Sequence, residues 1–349
     1  MNNNNPTCPK CGSGKTYKKG FRKTNTGNKQ RYKCHSCSYL FTLNPERRNN
    51  QTVINEEERP EIIGVLARER VNIDEIYPYL EKVGERAKEK NRIEDNQSIR
   101  MPNKPFMVAL LSDIHGGAKS DYEAIKRDVE LIKSDPDIYA ILAGDLTDNF
   151  IIGKLQSIQR EQSTTFDMET RFLIWFIKSI SESLIAVVSG NHDNWTRRMS
   201  GIDEMRNLLR NTLCLYDTQQ SLFTIEWSGH KSKVLVRHRY KHGSIFNPTH
   251  GMEVFWERGG LDFDIAIGGH THIATLCRPF IKHDKKRYAI LLGTYKLRDD
   301  YAKEIGVART HSDSRGSGAL VFLPDYDVPI WFDNLVIARN FLDFVRNNS

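Results

Sequence analysis

No apolar run in this 349-residue chain approaches the roughly 18 residues that a membrane-spanning helix needs, and the longest, such as Phe172 to Ile177, are far shorter. The opening Met-Asn-Asn-Asn-Asn-Pro lacks the charged-then-apolar pattern of a secretory signal. These absences make a soluble, cytoplasmic protein without membrane contact the expectation. No internal repeat is evident. Cysteine is scarce, and four of the six fall into two Cys-x-x-Cys pairs. A reducing compartment keeps thiols free, so that spacing points to metal rather than to disulfides. Cys214 and Cys277 stand alone and read as buried, inert thiols. Acids are nearly missing from residues 1–50, where eleven Lys and Arg face Glu46 alone. That stretch carries +10 while the whole chain carries +7, so the remainder is net acidic by 3. A concentrated basic patch is the electrostatic mark of a polyanion binder, nucleic acid foremost, or else of a solubilising tail. A complete P-loop is missing too. Gly12-Ser-Gly-Lys-Thr16 has Pro9 where the motif's first glycine would stand, which removes nucleotide binding from the reading.

What is present divides into three segments. The length suits one large domain with small attachments, and 39% hydrophobic residues can supply a sizeable core. Residues 1–45 read as a zinc ribbon. Cys8-Pro-Lys-Cys11 and Cys34-His-Ser-Cys37 bracket a turn-rich, basic stretch and suit one structural zinc on four thiolates. So small a unit has little core, and the metal must supply much of its folding free energy. His35 is a spare donor, but four thiolates already complete the shell. Tyr17, Phe21, Tyr32 and Tyr39 alternate with the basic residues, either as stacking surfaces for bases or as the ribbon's own core.

Residues 50–100 read as helical. Ile62, Ile63, Leu66 and Val71 suggest a short amphipathic helix, and Asn72 is placed to cap a second from Ile73 to about Ile93, against which Pro78 and Gly84 count. The pair is either a helix-turn-helix-like reader or a spacer. Residues 96–105 read as a linker. Residues 101–349 alternate short apolar runs (Phe106–Leu111, Ile138–Ala143, Leu184–Val188, Val234–Val236, Asp264–Ile267, Ala289–Leu292) with helical patterns such as Tyr122–Lys133 and Phe172–Ser179. This alternation predicts an α/β domain, a layered β-sheet sandwich flanked by helices. From Val328 to Ser349 a last strand and a closing amphipathic helix are expected.

Five of those runs end in metal-binding residue types: Asp113-Ile-His115, Gly-Asp145-Leu-Thr-Asp148, Gly-Asn191-His192-Asp193, Arg-His238, and Gly-His270-Thr-His272. Ligands gather at the carboxyl ends of strands in open α/β sheets, so the five clusters are expected to converge. Donors two apart on extended chain can face one ion, as Asp113 with His115 and His270 with His272. Mixed imidazole and carboxylate donors suit Mn, Fe, Zn or Ni better than Mg or Ca. Glycines before Asp145, Asn191 and His270 permit tight turns. His242, just before a glycine, competes with His238 for the fourth cluster.

In order, DxH, GDxxD, GNHD, a later His and GHxH resemble the calcineurin-like metallophosphoesterases across the third segment. The resemblance implies the metallophosphoesterase fold and two divalent metal ions, manganese first. Asp113, His115 and His272 would hold one ion and Asn191, His238 and His270 the other, with Asp145 bridging both. His192 would face the scissile phosphate, Asp193 would orient His192, and Asp148 would be structural. No Ser or Cys stands where a covalent nucleophile would be needed. Residues 8–41 in turn resemble the zinc ribbons of some insertion-element transposases, which implies DNA contact through Lys18, Lys19, Arg22, Lys23, Arg31 and Lys33. Together these resemblances imply a DNA nuclease, with chemistry like that of SbcD-type repair exonucleases, in a bacterium or a phage-infected host cell. Nuclease relatives often pair through their catalytic domains, so a homodimer belongs to the expectation. The rivals are a phosphatase or phosphodiesterase of small molecules or proteins with a docking ribbon, and a binding protein on a phosphoesterase scaffold. Tyr295, Lys296 and Arg298 follow the last core strand and read as groove residues or, more simply, as solvent-facing loop.

Overall fold

In the computed structural model, which describes residues 5–24, 27–42, 73–94, 97–117, 119–149, 164–243, 246–258, 261–297 and 316–348, the basic N-terminal stretch is a small antiparallel sheet. Thr16–Thr24 (β1), Gly27–Cys34 (β2) and Leu40–Thr42 (β3) pair in the order β1-β2-β3. The β1–β2 register shifts between Lys18 and Phe21, where Gly20 takes φ +68°. A bulge of this kind needs the left-handed backbone that glycine adopts freely. Only Cys8, Thr16, Tyr32 and Cys34 are buried among the described residues of this sheet and its knuckles. The chain divides into two units, Met1–Glu75 and Ile76–Ser349.

Ile73–Glu94 (α1) is a single helix that contains Pro78. The proline lies in the second turn of the helix, where it can donate no backbone hydrogen bond to the carbonyl four residues earlier. The helix expected around Ile62, Ile63, Leu66 and Val71 lies outside the described residues, as do the Asn72 cap and Arg298. The linker reading of residues 96–105 is corrected by Gln97–Arg100 (β4), an edge strand in parallel register with Phe223–Glu226. Its single apolar residue, Ile99, packs on the core, and main-chain pairing supplies the rest.

The larger unit is built on two six-stranded sheets. The first runs β15-β14-β5-β6-β7-β8, from Phe106–Leu111 (β5), Ile138–Leu142 (β6), Leu184–Val188 (β7), Leu215–Asp217 (β8), Ser317–Phe322 (β14) and Ile330–Phe332 (β15). The second runs β12-β13-β11-β10-β9-β4, from Gln220–Trp227 (β9), His230–Arg237 (β10), Ile265–Gly268 (β11), Leu276–Lys282 (β12) and Lys285–Leu291 (β13). Alternation along β5 shows the layering. Phe106, Val108 and Leu110 point into a core shared with Phe223, Trp227, Val234 and Ile265 of the second sheet. Met107, Ala109 and Leu111 point the other way, onto helices. A strand buried on both faces must be apolar throughout, which is why the run Phe106–Leu111 shows no polar alternation.

Tyr122–Lys133 (α2), Phe166–Ile180 (α3) and Leu335–Asn347 (α7) cover the outer face of the first sheet. Each opens on a side-chain cap: Asp121 accepts from the Ala124 N–H, Thr165 from Met168, and Asn334 from Val336 and Ile337. Asp193–Ser200 (α4) and Glu204–Leu209 (α5) follow β7. His250–Arg258 (α6) sets Met252 on the outer face of the second sheet. The layered α/β sandwich predicted from the alternation of runs is therefore present. β5, β6, β7 and β8 are parallel, as are β10, β11 and β13, so their carboxyl ends open on shared edges. Among the described residues no helix is long and apolar enough to cross a membrane.

Candidate metal centres

Pairing between the strands continues past their ends and fixes the loops that follow. Asp113 N–H donates to the Gly144 carbonyl (2.9 Å), His115 N–H to Asp145 (3.0 Å), and Gly269 N–H to His238 (3.0 Å). Asp113, His115, Asp145, His270 and His272 all take positive φ, between +49° and +75°. Left-handed backbone costs a non-glycine residue of order 1 kcal/mol or more, so five such residues on one edge mark a site held by its surroundings. The glycines expected to permit tight turns divide in their reasons. Gly144 has φ +95°, whereas Gly190 and Gly269 are needed for room. A Cβ at Gly190 would run into the Asp145 carboxylate, and one at Gly269 into Asp113 and Ser112.

Among the described residues of the larger unit three donor groups emerge, Asp113/His115/His272, Asp145/His238/His270 and, sharing His115, His115/Asp148/His192, each with ligand atoms within 4.8 Å of one another; the first two correspond to the expected metal sets. His272 Nε2 lies 3.0 Å from Asp113 Oδ1 and 3.0 Å from His115 Nε2. His238 Nε2 lies 2.9 Å from Asp145 Oδ2. Among the described residues Asn191 Oδ1 is buried without a hydrogen-bond partner, and the contacts at Asp113 Oδ1 and His238 Nε2 are close approaches of charged groups without hydrogen-bond angles. Buried polar atoms rarely go unsatisfied, and acceptor-type atoms crowded this closely, with His115 and His272 bonded to each other through the nitrogens that face inward, fit a shared cation. His238, and not His242, stands with Asp145 and His270; its Nδ1–H donates to the Ala143 carbonyl at 2.8 Å and leaves Nε2 facing inward.

Without an ion the charges pair among themselves. Burial opposes charge on His115, but Asp113 and Asp148 raise it to about 9. Burial likewise opposes charge on His238, and Asp145 and Asp113 raise it to about 10. Burial and the charge of His238 lower His270 to about 4. Protons on His115 and His238 therefore stand where a cation would, as expected of donors whose metal binding releases protons.

Three readings change in three dimensions. Asp193 does not orient His192. Its carboxylate is filled by the backbone N–H groups of Asp145 (2.8 Å), Leu146 (2.9 Å) and Gly190 (2.8 Å), so it locks the β6 and β7 loops together. Burial and the neighbouring Asp145 charge push its carboxyl up to about 6. His192 is oriented instead by the Asp148 carbonyl, which accepts from Nδ1–H at 2.6 Å, and by Trp195, whose ring centre lies 4.1 Å away. Its own burial lowers it to about 4. Asp148 is more than structural, because its Oδ1 accepts from His115 Nδ1–H at 2.9 Å and from Lys296 Nζ at 3.1 Å. Lys296 and Tyr295 are not solvent-facing loop residues. Tyr295 is buried, with its hydroxyl donating to Asp128 at 2.6 Å. The isolated signal for Asp148 was its place in the GDxxD spacing; nothing in the sequence marked Lys296 as its partner, nor Ser112, which donates to Asp113 Oδ2 at 2.6 Å.

In the N-terminal unit Cys8, Cys11, Cys34 and Cys37 gather within 4.8 Å. The Cys8–Cys37 and Cys11–Cys34 sulfurs are 3.6 Å apart. Tetrahedral zinc with bonds of about 2.3 Å would place sulfurs about 3.8 Å apart, so the donor set fits zinc. The two knuckles repeat one geometry: Gly12 N–H donates back to Cys8 O and Ser38 N–H to Cys34 O, and both Gly12 and Ser38 are left-handed. Against the cost of burial, the backbone N–H groups of Cys37 and Ser36 lower the Cys34 thiol to about 6.

The aromatic residues separate into two roles. Tyr32 is buried under Phe41, and Tyr17 packs on His35, while Phe21 and Tyr39 are exposed. The six candidate nucleic-acid residues do not share one face. Pairing of Arg22 with Lys29 sets Arg22, Arg31 and Lys33 on one side of the sheet, Lys18 and Lys23 on the other, and Lys19 at the bulge.

No curated protein matches the chain. Among solved structures it is similar to a protein of unknown function from Aquifex aeolicus, at 17% identity and TM-score 0.28, over 48% of this chain and 80% of that one. It is also similar to GAP50, the anchor in the inner membrane complex of Plasmodium, at 11% identity and TM-score 0.33, over 62% and 81%. A third similarity is to the calcineurin-like phosphoesterase YfkN of Bacillus subtilis, at 11% identity and TM-score 0.26, over 70% and 99%. Residues 106–274 match the sequence model of the family described as calcineurin-like phosphoesterase.

Proposed function

We propose that residues 106–274, which match the calcineurin-like phosphoesterase family model, form the catalytic domain of a two-metal phosphodiester hydrolase that cuts DNA, to which the basic zinc ribbon directs it. The observation that carries the hydrolytic reading is the pair of facing donor sets, with close charged approaches at Asp113 Oδ1 and His238 Nε2 and a buried Asn191 Oδ1 unpartnered among the described residues. Asp113, His115 and His272 would hold one divalent ion and Asn191, His238 and His270 the other, with Asp145 between them. Divalent ions there, manganese foremost, would supply Lewis acidity towards water and the phosphoryl oxygens.

The chain's own groups do the rest. Asp148 and the Ala143 carbonyl hold His115 and His238 in the tautomers whose Nε2 faces the centre. Asp193 ties the loops that carry Asp145 and Asn191. His192, with Nδ1–H committed to Asp148 O, presents Nε2 towards the phosphate. Support at the leaving oxygen requires a proton on that nitrogen, which a bound phosphate anion favours.

The DNA reading rests on charge. The N-terminal unit offers Arg22, Lys29, Arg31 and Lys33 along one face, and exposed Tyr39 shares a surface hollow with Arg22 and Arg31, a combination that suits phosphate contact with base stacking. Tethering such a unit to a hydrolase raises the local concentration of its substrate. The test is hydrolysis of labelled single- and double-stranded DNA with Mn²⁺ by the intact chain and by Asp145→Ala and His192→Ala. Cleavage lost in both variants is expected. Absence of DNA cleavage with retained hydrolysis of bis(p-nitrophenyl) phosphate would remove the DNA substrate and leave the ribbon as a docking module.

A further inference from the structure

A cavity of about 700 Å³ opens beside His270, on the second-sheet side of the metal centre. Its walls come from the loop after β10, the loop after β11, α6 and the end of β13. The ring of Tyr240, with Met252, Ile273 and Leu291, makes the lining mostly apolar. Tyr240 is a fixed wall rather than a mobile one, since its hydroxyl is buried and donates to the Leu235 carbonyl at 3.2 Å. The start of α6 presses on the same loop, where a Cβ at Gly251 would collide with the Lys241 carbonyl. Among the described residues, Arg239 and Lys241 supply the cationic lining, with the imidazoles of His242 and His270, and no carboxylate is among the lining residues. The centre proper is rich in acids, so this change of character at its border defines a separate subsite.

The chemistry narrows the occupant. A small phosphomonoester would reach the metal centre and leave the apolar walls wet. An apolar body with a negative charge at its edge would fill the walls and meet the cations. We propose that the cavity takes one nucleoside unit of the substrate. The base lies between Tyr240, Met252 and Ile273, and the adjoining phosphate meets Arg239 and Lys241. A base inside a duplex is stacked and paired, and must leave the stack to enter a pocket, which is least costly at an end or in single strand. The substrate class is therefore unpaired or terminal nucleic acid, and continuous duplex is a poor substrate. This inference rests on the phosphodiesterase reading of the centre.

Three ligands isolate the base contact in the intact full-length chain with Mn²⁺, by titration calorimetry: inorganic phosphate, 2-deoxyribose 5-phosphate and thymidine 5′-monophosphate. The nucleotide should bind about tenfold or more tightly than the abasic sugar phosphate, the scale of one base stacking on an apolar surface. In Ile273→Trp, which fills the cavity, that ratio should fall towards one. Because the ligand comparison in the unaltered chain stands alone, misfolding of the variant does not spare the idea. Equal affinity for the nucleotide and the abasic ligand would overturn the pocket, even with bis(p-nitrophenyl) phosphate still hydrolysed. Tight, base-dependent binding without hydrolysis of any phosphodiester would instead establish the pocket and sink the phosphodiesterase reading.

Discussion

Replacing Asp148 by Asn keeps the side chain's shape and removes its charge, so it tests the carboxylate that holds His115. The carboxylate is fully buried. Burial opposes its charge, but His115 and Lys296 hold it below the usual carboxylate range. Its Oδ1 accepts from His115 Nδ1–H at 2.9 Å, which turns His115 Nε2 towards Asp113 and His272. An amide in its place accepts more weakly, and its NH₂ end faces the same N–H if the group flips. Loss of such an outer partner costs a metal-bound histidine 10–100-fold in affinity, or about 1.4–2.8 kcal/mol. The expected result is a 10–100-fold rise in the Mn²⁺ concentration needed for half-maximal binding, measured by titrating metal-stripped protein. Lys296→Met should move that value far less, because Lys296 donates to Asp148 and leaves the carboxylate's bond to His115 in place. Unchanged metal affinity in Asp148→Asn would refute the account of how His115 is held.

If the Cys8/Cys11/Cys34/Cys37 set holds zinc, a strong chelator, or Cys34→Ser, should release the protection of amides in residues 5–42 against hydrogen exchange, with one zinc per chain lost by elemental analysis; structural zinc binding is worth about 10–16 kcal/mol, enough to hold so small a core. Gly190→Ala should lose most hydrolytic activity and lower stability to urea, since its methyl group would enter the space of the Asp145 carboxylate and backbone nitrogen. Phe106→Ala should lower stability to urea by about 3–5 kcal/mol, because the ring is fully buried and stacks on Phe322 at 4.7 Å. Asp135 is lowered to about 2, burial being outweighed by Arg346 and Arg339. A depressed carboxylate stabilises above its unfolded pKa and loses that contribution as pH falls through the folded one. Asp135→Asn should therefore cost about 1–2 kcal/mol at pH 7, after discounting for solvent screening, and nearly nothing at pH 2 in urea titrations.

Much of the fold was legible because parallel strands buried on both faces must be apolar throughout. The runs at Phe106, Ile138 and Leu184 announce themselves without any tertiary knowledge. The short strand Gln97–Arg100 did not, since an edge strand can be held by main-chain pairing with one apolar side chain. The donor types and their order were legible for a related reason. Chain that leaves the carboxyl end of a parallel strand arrives at the same edge as its neighbours, so Asp113, Asp145, Asn191 and His270 converge by topology.

Orientation was not legible. His238 and His242 both follow the same strand, and only the Ala143 carbonyl, 95 positions away and in the other sheet, selects and aims His238. Asp193 and Asp148 look alike beside the motifs, yet one holds backbone and the other holds imidazole, according to which loops lie within hydrogen-bond reach. The cavity beside His270 has no sequence signature at all, because its walls come from four separate elements. Which chemistry the edge of the sheets can carry follows from residue types and their order along the chain. Only the tertiary structure decided which atoms face it, because hydrogen bonds between distant loops depend on positions that no local pattern encodes.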